Sequence, residues 1–382
     1  MNCHFISFES YPDGGAASNR HLALFKGLDK LGVDVSLYSC LHSSNYECNF
    51  CTIYSVKKNS ENKLFKYVNA LLYIFNLCAH RFSQKKNDNV IIYLGTSSIF
   101  LLPIMLYSKL MNVSLYHERT ELPELMVGKN FISRLDYYIY RNFLIQLFDG
   151  VFVINNKLKS ALEKFPGVDS KKIHILNMMV DLSRFEKVCL DNNLQLNSIV
   201  FCGDLSSSKD NVDILLKAFK VALLTHPELK LKLIGNNNTL YFKQTIEPLI
   251  LELKLSNNII ITGFLNREKV PEELCSAGLL VLSRENSTQA QYGFPTKLGE
   301  YLASGRPVIV TRTSEIDFYL KDKKSAFIAL PGSTSSFSDN IVEVFNDYKY
   351  ARNVGIEGRK VAEKNFCSLV VAKSMYSILR KR

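Results

Sequence analysis

Short runs of β-branched and aromatic residues recur along the chain, each followed by a stretch with apolar residues three and four apart. "HFISF" (4–8) reads as a strand, "YPDGGAASN" as a turn-rich loop and "HLALFKGLDKLG" as an amphipathic helix ended by Gly32. "VDVSLYS", "NVIIYLG", "VSLYHE", "GVFVIN" and "KIHIL" continue the series, separated by helix-length segments. The pattern restarts with "SIVFCG" and the strongly periodic "KDNVDILLKAFKVALLTHP", then runs through "LKLKLIG", "NNIIITG", "GLLVLS", "RPVIVT" and "SAFIAL". Strands alternating with helices predict parallel sheets covered on both faces. The polar, Asn-rich stretch near Asp191–Asn197 predicts a linker. We therefore expect two doubly wound α/β domains, over residues 1–187 and 188–365. A C-terminal helix at 366–382, basic at its tip, is expected to pack back on the first. Ligands of such sheets bind beyond the carboxyl ends of the strands.

Composition narrows this only a little. The chain has 382 residues, too many for one ordinary core, and no long low-complexity tract. Net charge is +11, which fits a nucleic acid, an anionic membrane or a polyanionic substrate and does not choose among them. No nucleic-acid-binding signature is present. The start "MNCHFISFES" lacks the basic and apolar regions of a signal peptide. Residues 90–107 are apolar but broken by Gly95, Thr96, Ser97, Ser98 and Pro103, so a strand, a turn and a buried helix are expected rather than a membrane span. The nine cysteines form no disulfide framework, which favours a reducing cytosol. Cys48 and Cys51 make one C-x-x-C with His42 nearby, short of a zinc ligand set.

Candidate chemistry gathers in the second half. In "SIVFCGDLSSSKDNVDILLKAF", Lys209 stands at an expected helix start, where N–H groups attract anions and Ser208 is a candidate cap. In "GLLVLSRENSTQAQYGFPTKLGEYLASGRPVIV", a long polar loop leads into a helix with Pro295 in its expected first turn. Lys297 and Glu300 share one face of that helix. Lys297 suits a phosphate. An ionised Glu300 suits paired hydroxyls such as those of a ribose. An exposed ion pair is the plainer alternative. In the first half, "SLYHERTELPEL" puts His117, Glu118, Arg119 and Glu121 at a strand end, as candidates to orient or deprotonate an acceptor hydroxyl. Residues 57–86 carry seven Lys or Arg against one acid around an apolar centre. Such a segment suits an anionic bilayer or a buried helix with basic flanks.

"FPTKLGEYLASGRPVIV" resembles the signature of retaining, nucleotide-sugar-dependent glycosyltransferases of the GT-B fold, family-four type (glycosyl transferases group 1). "FCGDLSSSKDNVDILLKAF", "LKLIG", "NNIIITGFLNREKVPEEL" and "AGLLVLS" follow the same family order, and "YPDGGAASNRHLALFKGLDKLGVDVSLYS" resembles its Gly-rich entry loop and first helix. The resemblance implies two Rossmann-like domains facing a central cleft, with the acceptor side in the first and the donor side in the second. It implies a UDP-sugar or GDP-sugar donor and metal-independent transfer with no cofactor. A glycan or lipid-linked acceptor is expected, in bacterial surface polysaccharide (lipopolysaccharide or capsule) biosynthesis. Expected placement is cytoplasmic, with peripheral contact at the inner face of the plasma membrane and no nucleic-acid partner. By resemblance Glu300 binds the donor ribose, Lys209 neutralises the diphosphate, and Gly14 and Gly15 approach donor phosphate or acceptor. Gly203, Tyr292, Gly293, Phe294 and Lys297 complete the expected donor site, with His117 and Glu118 as catalytic candidates. Two positions depart from the family: Tyr292 replaces its first glutamate and Asp204 an arginine. A nucleotide-sugar 2-epimerase-like enzyme of the same architecture, or a basic nucleic-acid-binding protein, are the competing readings.

Overall fold

The computed structural model describes residues 1–12, 14–56, 62–81, 89–186, 188 and 194–381. In chain order the first half holds β1 (Asn2–Ser7), α1 (Gly15–Asp29), β2 (Asp34–Ser39), β3 (Thr52–Ser55), α2 (Lys63–Asn76) and β4 (Asn89–Tyr93). It continues with α3 (Ser98–Met111), β5 (Ser114–Arg119), α4 (Phe131–Ile139), β6 (Gly150–Val153), α5 (Asn156–Leu162) and β7 (Ile173–Ile175). The second half holds α6 (Ser183–Glu186), β8 (Gln195–Cys202), α7 (Val212–Ala222), β9 (Lys230–Ile234), α8 (Glu247–Glu252), β10 (Ile259–Gly263), α9 (Val270–Ser276) and β11 (Ala277–Leu282). Then come α10 (Thr288–Tyr292), α11 (Thr296–Ala303), β12 (Val308–Thr311), α12 (Ile316–Tyr319), β13 (Phe327–Ala329), α13 (Thr334–Asn346), α14 (Tyr348–Val361) and α15 (Ser368–Leu379).

The chain divides into two compact units, Met1–Met178 with Ser368–Arg382, and Met179–Cys367. The second unit thus begins nine residues earlier than the division after residue 187, taking in α6. The Asn-rich linker lies partly outside the described residues, as do the basic flanks of 57–86.

In the first unit a seven-stranded parallel sheet runs β3-β2-β1-β4-β5-β6-β7. Strand β4 is buried at every position, as a strand covered on both faces must be. Phe5, Phe25, Ile92, Leu115 and Phe152 are among the residues of its core. The edge strand β3 escaped the sequence reading because it is four residues long and only half-buried. In the second unit a six-stranded parallel sheet runs β10-β9-β8-β11-β12-β13 around Ile199, Phe201, Phe219, Val281 and Ile309. The order reverses between β1 and β4 and again between β8 and β11. Chain leaving these strands parts to opposite sides, opening a crevice at the carboxyl end of each sheet.

Candidate functional site

At the second reversal, β8 ends at Cys202 with Gly203 just beyond it, and β11 leads into Ser283 and Arg284. Beyond Gly203 the Asp204 carboxylate folds the turn. Its Oδ1 accepts from the N–H and hydroxyl of Ser206, at 2.7 and 2.5 Å, and its Oδ2 from the Ser207 hydroxyl at 2.5 Å. Burial pushes this carboxyl up, but those hydrogen bonds and Lys209 bring it below its usual value. The departure at 204 is therefore a turn-building residue.

Lys209 is exposed, in a one-turn 3₁₀ segment over Ser208–Asp210. Asn211, with φ of 45°, separates it from α7, so it does not stand on the helix itself. The cap of this turn is Ser207, whose hydroxyl accepts from the Lys209 N–H, rather than Ser208. Asp210 is buried. Its Oδ2 accepts from the Asp204 N–H at 3.0 Å and its Oδ1 lies 3.5 Å from Arg284 Nε. Burial holds its carboxyl above the usual range despite these partners.

The polar loop after β11 contains a short helix of its own, α10, capped by the Ser287 hydroxyl at the Ala290 N–H. Tyr292 ends that helix, half-buried. Gly293 follows, its carbonyl accepting from Ser314 Oγ at 2.7 Å. Phe294 turns inward. Its ring lies 5.7 Å from those of Tyr319 and Phe366, so it packs rather than faces a ligand. Pro295 is the residue before α11, not in its first turn, with extended backbone.

Helix α11 brings Lys297 and Glu300 to the end of β8. Tyr301 fixes it there: its hydroxyl accepts from the Cys202 N–H at 2.7 Å and donates to the Cys202 carbonyl at 3.1 Å. Lys297 Nζ lies 3.1 Å from Glu300 Oε2. A second cation, absent from the sequence reading, reaches the other oxygen. Arg184 on α6 donates to Glu300 Oε1 at 2.6 Å and to the Arg267 carbonyl. Glu300 is 8% exposed. Burial raises its carboxyl pKa, but Lys297 and Arg184 outweigh that and hold it at about 2. The Lys297 ammonium is correspondingly held up, against burial, by Glu300. The plain exposed ion pair thus does not describe this site. A carboxylate offers about four lone-pair directions, so two cations leave acceptor capacity for hydroxyls.

The first-unit candidates sit differently. His117 is fully buried. Its Nε2 is 2.9 Å from the Gly95 carbonyl, which requires a donated proton, and its Nδ1 is 3.1 Å from the Tyr140 hydroxyl. Burial first, then Arg119, keeps the ring neutral. Neither nitrogen is open to a substrate. Glu118 is buried too, with Oε1 2.8 Å from Arg20 Nε and Oε2 3.6 Å from His21 Nε2. Arg20 also donates to the carbonyls of Leu176 and Asn177, so the cluster ties α1 to the strand ends. Gly14 precedes α1 and Gly15 opens it with φ of 73°. A Cβ on Gly14 would stand 2.2 Å from the Ser10 carbonyl oxygen, so only glycine lets the loop close this tightly.

Among the described residues no three His, Cys, Asp or Glu side chains converge as metal ligands. The missed members Arg184, Asp210 and Arg284 had one faint sequence mark, Arg284 following a predicted strand directly.

Residues 185–361 match the family model "Glycosyl transferases group 1". A stretch of 162 residues is 24% identical to N-acetyl-alpha-D-glucosaminyl L-malate synthase of Bacillus anthracis, covering 41% of this chain and 40% of that protein. The fold is shared with a glycosyltransferase of Rickettsia africae, at TM-score 0.73 and 16% identity over 100% of this chain and 98% of that one. It is shared with HepE of Anabaena, solved with UDP and glucose, at 0.73 and 14% over all of both chains. WaaG, a glycosyltransferase involved in lipopolysaccharide biosynthesis, gives 0.68 and 14% over 98% of each. Residues 185–361 are thus similar to a glycosyl transferases group 1 domain, within a two-unit fold shared with solved GT-B glycosyltransferases.

Proposed function

We propose that the protein is a glycosyltransferase that moves a sugar, with retention, from a nucleotide diphosphate-sugar to a glycan acceptor. The observation that carries this is the buried, ionised Glu300 at the carboxyl end of β8, bracketed by Lys297 and Arg184. In this reading Glu300 accepts from the two ribose hydroxyls. Lys297 and Lys209 face the diphosphate and stabilise the charge that grows as it leaves. Lys297 then supplies the cation that Asp204 does not, and Gly203 and Gly293 let backbone come close to the donor. Tyr292 meets the sugar where the family pattern has glutamate. Gly14 and Gly15 line the approach of phosphate or acceptor. His117 and Glu118 hold the first unit's strand ends in place. A UDP-sugar is preferred over a GDP-sugar because HepE was solved with UDP. Transfer without a metal is expected from the resemblance, with EDTA leaving the rate unchanged.

The acceptor is proposed to be lipid-linked, in surface polysaccharide biosynthesis, with the protein working in the cytoplasm against the inner face of the plasma membrane. Support comes from the outer faces of α2, α3 and α4. Phe65, Leu72 and Phe75 on α2, Leu102, Leu106 and Leu110 on α3, and Phe131 and Ile132 on α4 are all exposed, Leu110 at 75% and Ile132 at 77%. Helix α3 packs against both α2 and α4, so these exposed side chains lie on neighbouring helices. Apolar faces of this extent usually meet something. Lys109 and Arg134, exposed among them, suit anionic headgroups. No helix among the described residues is long and apolar enough to cross a membrane.

Isothermal titration against UDP-sugars, GDP-sugars and free nucleotides tests the donor assignment. Binding of one nucleoside diphosphate series is expected. A folded sample that binds none refutes it. Product analysis with donor alone separates the epimerase reading, which would release an altered sugar without acceptor.

A further inference from the structure

The turn between β2 and β3 takes no part in the donor site. Within it Cys48 and Cys51 oppose each other as an isolated antiparallel bridge, and their Sγ atoms lie 2.9 Å apart. Directly opposed residues in antiparallel pairs have Cα atoms about 4.5–5.5 Å apart. Disulfides accept Cα separations of about 4.4–6.8 Å. The backbone is therefore already set for a disulfide, and only the two sulfurs have to close from contact to bond distance. Both thiols are free and half-buried, within reach of a small reagent.

A passive S–H···S contact would explain the spacing, but the pair is asymmetric. The hydrogen bond from Cys51 lowers the Cys48 thiol to about 7 against the opposing effect of burial. The same contact, reinforced by burial, pushes Cys51 well up. Cys48 Sγ also lies 3.2 Å from the Cys51 carbonyl oxygen, and Cys48 is the member of the pair that lines the neighbouring recess, so it is the sulfur placed to meet a reagent first. Beside Cys48 lies an open recess of about 470 Å³, with Lys26 and Lys30 among its walls alongside Asp29 and Glu47. Walls of both signs suit a small zwitterionic disulfide, which carries carboxylate and ammonium groups together. A metal is the weaker reading, since no third ligand joins the pair among the described residues.

We propose that Cys48 and Cys51 form a reversible dithiol–disulfide site, oxidised by a small-molecule disulfide of the glutathione type, with Cys48 as the attacking sulfur. The Cys48 thiolate attacks one sulfur of the reagent, forming a mixed disulfide and expelling one thiolate. Cys51 then loses its proton to solvent and attacks Cys48 Sγ, expelling the second thiolate. Two protein thiols and one small disulfide become one protein disulfide and two small thiols.

The test exposes the folded full chain to glutathione buffers from fully reduced to fully oxidised. Acid quenching, maleimide alkylation, proteolysis and mass spectrometry follow. The wild-type peptide spanning both residues is expected to lose two hydrogens and escape alkylation, and dithiothreitol to reverse this. Cys51→Ser should stall with glutathione on Cys48, and Cys48→Ser should give neither product. A wild-type pair that stays fully alkylatable in oxidised buffer overturns the proposal. So does glutathione uptake by Cys78 or Cys367 as fast as by Cys48. Glutathione on Cys51 in the Cys48→Ser protein overturns the assignment of the attacking sulfur.

Discussion

Glu300 holds two cations where a single partner would balance its charge. Removing its charge leaves Lys297 and Arg184 facing each other in a largely buried setting. Glu300→Gln should raise the donor Kd about tenfold to a hundredfold, the worth of a charged hydrogen-bonding partner, with the fold intact by circular dichroism. An unchanged affinity would remove Glu300 from the ribose. The same residue sets a pH signature. Its carboxyl lies at about 2 in the fold against an ordinary 4.5. Its stabilising contribution is therefore complete above about pH 4.5 and lost as pH falls through about 2. Urea midpoints of wild type and Glu300→Gln should differ most at pH 5–7 and converge toward pH 2. Parallel curves would show that the pairing adds no stability. If Lys209 and Lys297 share one diphosphate, Lys209→Ala with Lys297→Ala should weaken donor binding more than either alone. Equal loss in one single variant and the double would assign the diphosphate to that lysine alone.

At the scale of elements, α11 works because Tyr301 anchors it to the end of β8. Tyr301→Phe strands the buried Cys202 N–H without its partner. It should cost about 1–3 kcal/mol in a urea melt, and donor affinity should fall with it as Lys297 and Glu300 lose their register. A variant as stable as wild type would show that packing alone sets the helix. This element also marks what was legible beforehand. The strand–loop–helix–strand order around 278–310 follows from apolar runs and turn residues, and the Lys297–Glu300 pairing from a spacing of three. Arg184 was not legible, because its partner lies 116 positions away and no local period connects them. His117 illustrates the converse. It lies in the carboxyl half of β5, but sequence cannot tell a strand position open to a ligand from one closed over by Tyr140 and Phe148. Lys209 likewise lies where expected along the chain, yet the left-handed Asn211 that parts it from α7 is a tertiary outcome.

At the scale of the molecule, the apolar faces of α2, α3 and α4 predict partitioning to membranes. Cosedimentation with vesicles containing anionic lipid should retain the protein at low salt and release part of it as salt screens Lys109 and Arg134. Leu106→Glu with Leu110→Glu should weaken retention while donor binding stays unchanged, since both side chains already face outward. Retention equal to wild type would direct attention to another surface.

The C-terminal helix α15 lies against α1 so closely that a Cβ on Gly27 would come within 2.5 Å of the Ser368 carbonyl oxygen and 2.8 Å of Ala372 Cβ. It also contributes Val371, Ala372 and Met375 to the buried interior. The first unit is thus written in two pieces of sequence, with the whole second unit between them. During synthesis every residue of the second unit leaves the ribosome before the helix that completes the first. The N-terminal half must wait, with one side of α1 uncovered, while the C-terminal half has all its strands in hand. The unit whose synthesis begins first is thereby the one whose sequence is completed last.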